Sequence, residues 1–179
     1  LAEHVDARPL TVYCRGDDGA VRRSAFAAFG AAIGRGVLVV DGARVAEGSP
    51  GEVALVAALA DREARLRHEL LGWDAVDALL ADGRRADLAA MSAIVAAREE
   101  ATLVGGAATW EPVGAPAEAR FLTVELPAPG VAERERLWRV ALGATGEELP
   151  ELDLSGLAAT FRLGSGRIAD AASTASTPR

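Results

Sequence analysis

Four short strand-like runs punctuate this chain, with segments of helical spacing between the first three. The runs are "LTVYC" (10–14), "GVLVVDG" (36–42), "ATLVGG" (101–106) and "RFLTVELP" (120–127). Of these, 36–42 is apolar at consecutive positions, as suits a strand covered on both faces. Between the runs, residues 21–34 repeat with helical spacing and stop at Gly34, a natural helix terminator. Residues 49–71 open on Ser49 and Pro50, a cap and first-turn pair, and begin as a helix that yields to a further strand before Trp73. Residues 84–100 form another helix. Strands alternating with helices of about ten or more residues predict an α/β fold, a doubly wound parallel sheet of five strands. After "PAPG" the alternation ends. Residues 131–143, 154–161 and 166–175 are helical with no strand between them. The expected division is an N-terminal extension (1–8), an α/β core (9–128) and a small, partial helical piece (129–179).

Half of the residues are hydrophobic but only 4% are aromatic, so the core is built mostly from Ala, Val and Leu. All 19 basic residues are Arg. No Lys is therefore present to bind phosphate, form a Schiff base or act as a general base. A formal charge of -7 argues against nucleic acid or an anionic membrane surface as the main partner. Cys14 is the sole cysteine, which excludes an intrachain disulfide and points to a reducing, cytoplasmic setting. Its place in a predicted core strand makes it a buried, inert thiol. No apolar run approaches the roughly 20 residues of a membrane span. The chain reads as a piece of a longer protein. His4, His68 and Cys14 make no metal site, and no catalytic triad is evident.

The stretch "YCRGDDGAVRRSAF" (13–26) carries a tight polar turn between the first strand and first helix, the place where nucleotide-binding α/β proteins keep a Gly-rich phosphate cradle. Further on, "RFLTVELPAPGVAERERLW" places an Arg-Phe pair ahead of a strand, then Pro129 and a helix containing Arg134. The segment "LDLSGLAATFRLGSGRIADAASTA" follows, with a last helix beginning near Gly166. In order and spacing, residues 10–176 resemble an AAA+ ATPase module. The segment around Arg120, Phe121, Pro129 and Arg134 resembles the entry to its fifth strand, and the last segment resembles its helical lid with the sensor 2 helix. The nearest kind is the degenerate first AAA module of bacterial proteins with two such modules, some of which serve contractile injection systems. The resemblance implies a P-loop NTPase-like sheet of order 5-1-4-3-2 and a truncated lid. A flavodoxin-like order of 2-1-3-4-5 would instead indicate an unrelated ligand-binding domain.

The motifs that such a module needs are depleted. A Walker A loop reads G-x-x-x-x-G-K-[ST]. With Gly16 first, Val21 takes the second glycine, Arg22 the lysine and Arg23 the hydroxyl position. A Val forced into a left-handed conformation costs about 1–2 kcal/mol, and Arg does not replace a compact Lys charge. Asp17 and Asp18 would face a triphosphate. Gly16, Gly19, Arg22 and Arg23 are thus a vestigial Walker A. Asp74 closes an apolar run as a Walker B aspartate would, but Ala75 stands where the water-activating Glu belongs, and a helix cap or solvated turn is the plainer role for Asp74. At the sensor 1 position, Gly105, Gly106 and Ala107 offer no side chain to orient water, while Thr109 suits a loop cap and Trp110 a loop anchor. Arg120 matches an arginine finger, or else pairs with Glu118 or Glu125. Arg134 lies among alternating charges, as on a solvated helix face, and Trp138 belongs to a core.

The expected function is non-catalytic and architectural, with no cofactor, within a larger ATPase whose neighbouring AAA+ module or subunits are the partners. The alternative is a module that still binds ATP and Mg²⁺ through Arg22, Asp74 and Arg120 and hydrolyses it slowly.

Overall fold

The computed structural model describes residues 9–49, 51–112, 119–143 and 153–175. Five strands form one wholly parallel sheet: β1 (Leu10–Arg15), β2 (Val37–Asp41), β3 (Leu70–Asp74), β4 (Thr102–Gly106) and β5 (Arg120–Glu125). Their order across the sheet is β2-β3-β4-β1-β5, the expected 5-1-4-3-2 read from the other edge. The flavodoxin-like alternative is thereby excluded. Helices connect the strands: α1 (Gly19–Ala32), the short α2 (Gly42–Ala46), α3 (Glu52–Arg67), a 3-10 turn (Val76–Leu79) and α4 (Arg85–Ala97). Beyond the sheet come α5 (Val131–Gly143), α6 (Leu154–Thr160) and α7 (Ser165–Ala175). The chain divides into two compact units, Leu1–Leu126 and Pro127–Arg179.

Alternation within each strand sends neighbouring side chains to opposite faces. One face packs Tyr13, Leu71, Trp73 and Val104 against the small inner residues of α3 and Met91 and Val95 of α4. The other packs Val12, Cys14, Leu70 and Leu103 against Phe26 of α1. The central β3 and β4 are buried along their whole length. The apolar run of β2 is not covered on both faces as its sequence suggested. It lies at the sheet edge, with Val39 exposed, because strand order rather than composition decides what is enclosed. Gly34 ends α1 with φ of 70°, a left-handed conformation that glycine takes without strain. The start of α3 differs from expectation: Gly51 (φ 94°) is its cap, and the Ser49 carbonyl accepts from Glu52 N. Pro50 lies outside the described residues.

The helical unit has its own core of Trp138, Leu142, Ala158, Ile168 and Ala172. Arg134, expected on a solvated face, is buried there. Its Nε donates to the Ala158 carbonyl at 2.9 Å and its guanidinium also donates to the Pro129 carbonyl at 2.5 Å. No helix among the described residues is long and apolar enough to cross a membrane.

Candidate functional site

The carboxyl ends of β1, β3 and β4 meet the N-terminus of α1, the place where open parallel sheets carry ligands. The turn from β1 to α1 is only Gly16, Asp17 and Asp18. Asp18 caps α1: its carboxylate accepts from Ala20 N at 2.9 Å and Val21 N at 3.4 Å. The Asp18 carbonyl takes Arg22 N, and Gly16 N donates to the Gly106 carbonyl. These backbone donors are therefore committed within the protein, and Asp18 supplies the negative charge that a helix N-terminus favours.

Arg22 and Asp74, 52 residues apart in sequence, meet beneath this turn. Arg22 Nε donates to Asp74 Oδ1 at 2.5 Å, and its terminal nitrogen donates to the Gly16 carbonyl at 2.5 Å. Arg23 donates to Asp74 Oδ2 at 2.9 Å from a half-exposed position. Asp74 is only 2% exposed and Arg22 5%. Asp74 is thus neither a helix cap nor a solvated turn residue; both of its oxygens are taken by guanidinium groups. Gly105 makes the arrangement fit. A Cβ there would stand 3.0 Å from Asp74 Oδ1, 3.1 Å from Arg22 Cδ and 3.1 Å from Phe26 Cζ. Gly19 gives Arg23 the same freedom, since its Cβ would lie 3.1 Å from the Arg23 guanidinium.

A second carboxylate, after β3 and partly buried, is held by backbone donors. Asp77, in the turn after β3, accepts from Ala107 N at 2.9 and 3.0 Å and from Ala108 N at 2.7 Å. Tyr13 Oη donates to the Ala108 carbonyl. Burial pushes the Tyr13 hydroxyl up to about 12, with the Asp77 carboxylate contributing. Trp110 anchors the loop as expected, tilted on Tyr13 at 5.5 Å and edge-on to Phe121 at 5.9 Å between ring centroids. Thr109 Oγ1 accepts from Arg15, which also pairs with Glu125. Cys14 is buried; desolvation and the nearby Asp74 raise its thiol pKa. Sequence reasoning missed Asp77. Its available signal is the repeat in "WDAVD", where Ala75 adopts a left-handed backbone (φ 56°) between the two aspartates.

Arg120 is not part of this cluster. It begins β5, beside Leu10 at the far end of the strands from Asp74. Its backbone N donates to the Pro9 carbonyl, and its exposed side chain makes no hydrogen bond or ion pair among the described residues. Glu118 lies outside the described residues. At that same end of the sheet, a cavity of about 180 Å³ is lined by Arg35, Arg65, His68, Arg98, Glu99 and Glu100. Arg35 and Arg98 share Glu100, and Arg98 also pairs with Asp61. The hydrogen bond from Arg35 holds the Glu100 carboxyl below its usual range.

The architecture beyond the sheet is what connects the chain to known proteins. Residues 130–179 match the family model of the contractile injection system ATPase helical domain. The matched segment takes in α5, α6 and α7 and is less than half of the chain. A helical domain of this description, following a five-stranded parallel sheet in the sequence, is consistent with an ATPase-related module that belongs to a larger multi-subunit assembly. No curated protein matches the chain.

Proposed function

We propose that this chain is a degenerate AAA+ module with an architectural role in a larger ATPase assembly, and that it performs no ATP hydrolysis itself. The observation that carries this reading is the buried ion pair between Arg22 and Asp74. In a working site the Walker A cation faces phosphate and the Walker B carboxylate faces Mg²⁺. Here the cation and the carboxylate neutralise each other, and Arg23 occupies the second carboxylate oxygen. Asp18 likewise holds backbone N–H groups of the α1 turn, the ones a phosphate cradle would offer. Opening the site would strand two buried charges, each of which costs several kcal/mol when unpaired. These residues do not fit Mg²⁺-ATP, so no hydrolytic step is assigned to them. The sheet and helices instead hold a fixed surface for a neighbouring module, and the match of residues 130–179 supports a contractile injection system ATPase as the setting.

A titration with a fluorescent ATP analogue and Mg²⁺ tests the reading. The expected outcome is no saturable binding into the millimolar range. Micromolar binding that weakens in Arg22→Ala would establish the alternative, a module that still holds nucleotide.

A further inference from the structure

The outer face of α3 is apolar where a surface helix is normally polar. Its inner seam, Val53, Ala57, Ala60 and Ala64, faces the core and consists of small residues. On the opposite side stand Leu55, Leu59 and Leu66, which are 62%, 52% and 66% exposed. A helix that served only its own sheet would put its large side chains inward. The helix α3 does the reverse.

Positions 55, 59, 62 and 66 are spaced four, three and four residues apart, the alternation of a coiled-coil seam. Arg62 occupies the one polar position in that seam, and it makes no ion pair or hydrogen bond among the described residues. Its neighbours do. Arg65 pairs with Asp61 at 3.0 Å, and Arg67 with Glu63 at 2.6 Å. A single polar residue in such a seam selects its partner at some cost in stability, and here the selection is for negative charge. A second copy of α3 would bring Arg62 against an identical leucine-arginine seam and supply no carboxylate within it.

We propose that the outer face of α3 is a docking seam for an amphipathic helix of a partner protein, one that sets apolar residues against Leu55, Leu59 and Leu66 and a carboxylate against Arg62. This assignment is independent of whether the α1 turn binds nucleotide. Leucines supply the affinity, and the buried arginine-carboxylate contact sets register and discriminates against basic helices.

The full chain is titrated with two labelled helical peptides, read by fluorescence anisotropy. Both carry leucines in a matching seam; one has Glu and the other Lys at the position facing Arg62. The Glu peptide is expected to bind saturably, and the Lys peptide at least about tenfold more weakly. Arg62→Glu should reverse that preference. Leu59→Glu, and separately Leu55→Glu, should abolish binding while circular dichroism stays unchanged; both positions are exposed, so the fold does not depend on them. Equal binding of the two peptides, no saturable binding of either, or binding undiminished in both leucine variants would overturn the proposal. So would concentration-dependent self-association lost in Leu59→Glu, because the occupant would then be a second copy.

Discussion

At the residue scale, Arg22 and Asp74 behave as a unit whose members cannot be exchanged singly. Each is nearly inaccessible to water, and each has the other as its main counter-charge. Asp74→Leu leaves the Arg22 guanidinium buried and unpaired, at an expected cost of about 3–5 kcal/mol. Arg22→Met leaves Asp74 with only the half-exposed Arg23 and is expected to destabilise by a similar order. The double variant Arg22→Met with Asp74→Leu should cost far less than the sum, because an apolar pair can fill the space that two charges held. Urea denaturation of the four proteins measures this, and additive losses would refute the coupling. Tyr13 provides a second handle, since it is the sole tyrosine of the chain. Its folded pKa is raised from 10.0 to about 12, chiefly by burial. The neutral hydroxyl therefore contributes stability that is complete below the unfolded value and is lost as pH climbs from 10.0 toward about 12. Tyrosinate absorbance should stay silent near pH 10 and appear close to 12, together with loss of the native circular dichroism. An ionisation near 10 with the fold intact would mean that the hydroxyl is in water.

At the scale of elements, periodicity located most of the structure, and charge pattern misjudged one part of it. Residues 131–143 read as a helix and form α5 with those bounds. Within it, "ERERLW" reads as a solvated face, yet Arg134 is enclosed. The reason is that the last carbonyls of a helix have no partner of their own. Arg134 supplies donors to Ala158, near the end of α6, and to Pro129, ahead of its own helix. No local pattern encodes a bond between residues 24 positions apart. The same holds for Arg22 with Asp74, and for Asp77 with the loop after β4, which only the strand order brings together. Arg134→Ala should destabilise the helical unit by about 1.5–3 kcal/mol, the range for hydrogen bonds that involve a charged group. Arg134→Lys should recover only part of the loss, since one ammonium does not reproduce the guanidinium fork. Thermal unfolding followed by Trp138 fluorescence, in a Trp73→Phe and Trp110→Phe background, reads both variants, and an unshifted midpoint for Arg134→Ala would show that the contacts carry no stability.

At the scale of the whole molecule, the alternation of runs and helices sufficed for a parallel α/β sheet, but the strand order was implied by resemblance alone. Length and periodicity are equally compatible with another doubly wound order, and the pairing of β1 between β4 and β5 is what decides between them. The helical unit makes a test of cooperativity available. Every residue of the two sheet-packing clusters lies before Pro127, and every residue of the third lies after it. Trp73 and Trp110 report on the first unit, and Trp138 on the second. Leu142 belongs to the helical core, and Leu→Ala substitutions at such sites cost about 2–5 kcal/mol. In a Trp73→Phe and Trp110→Phe background, Leu142→Ala should therefore shift the urea transition seen by Trp138 strongly toward lower denaturant. In a Trp138→Phe background the same substitution should leave the transition seen by Trp73 and Trp110 nearly in place. Among the described residues, the helical cluster shares no member with either sheet-packing cluster, so a cavity at Leu142 is expected to act within its own unit. Equal shifts in both backgrounds would instead make the chain one cooperative body, and the helical unit would then contribute directly to the stability of the sheet.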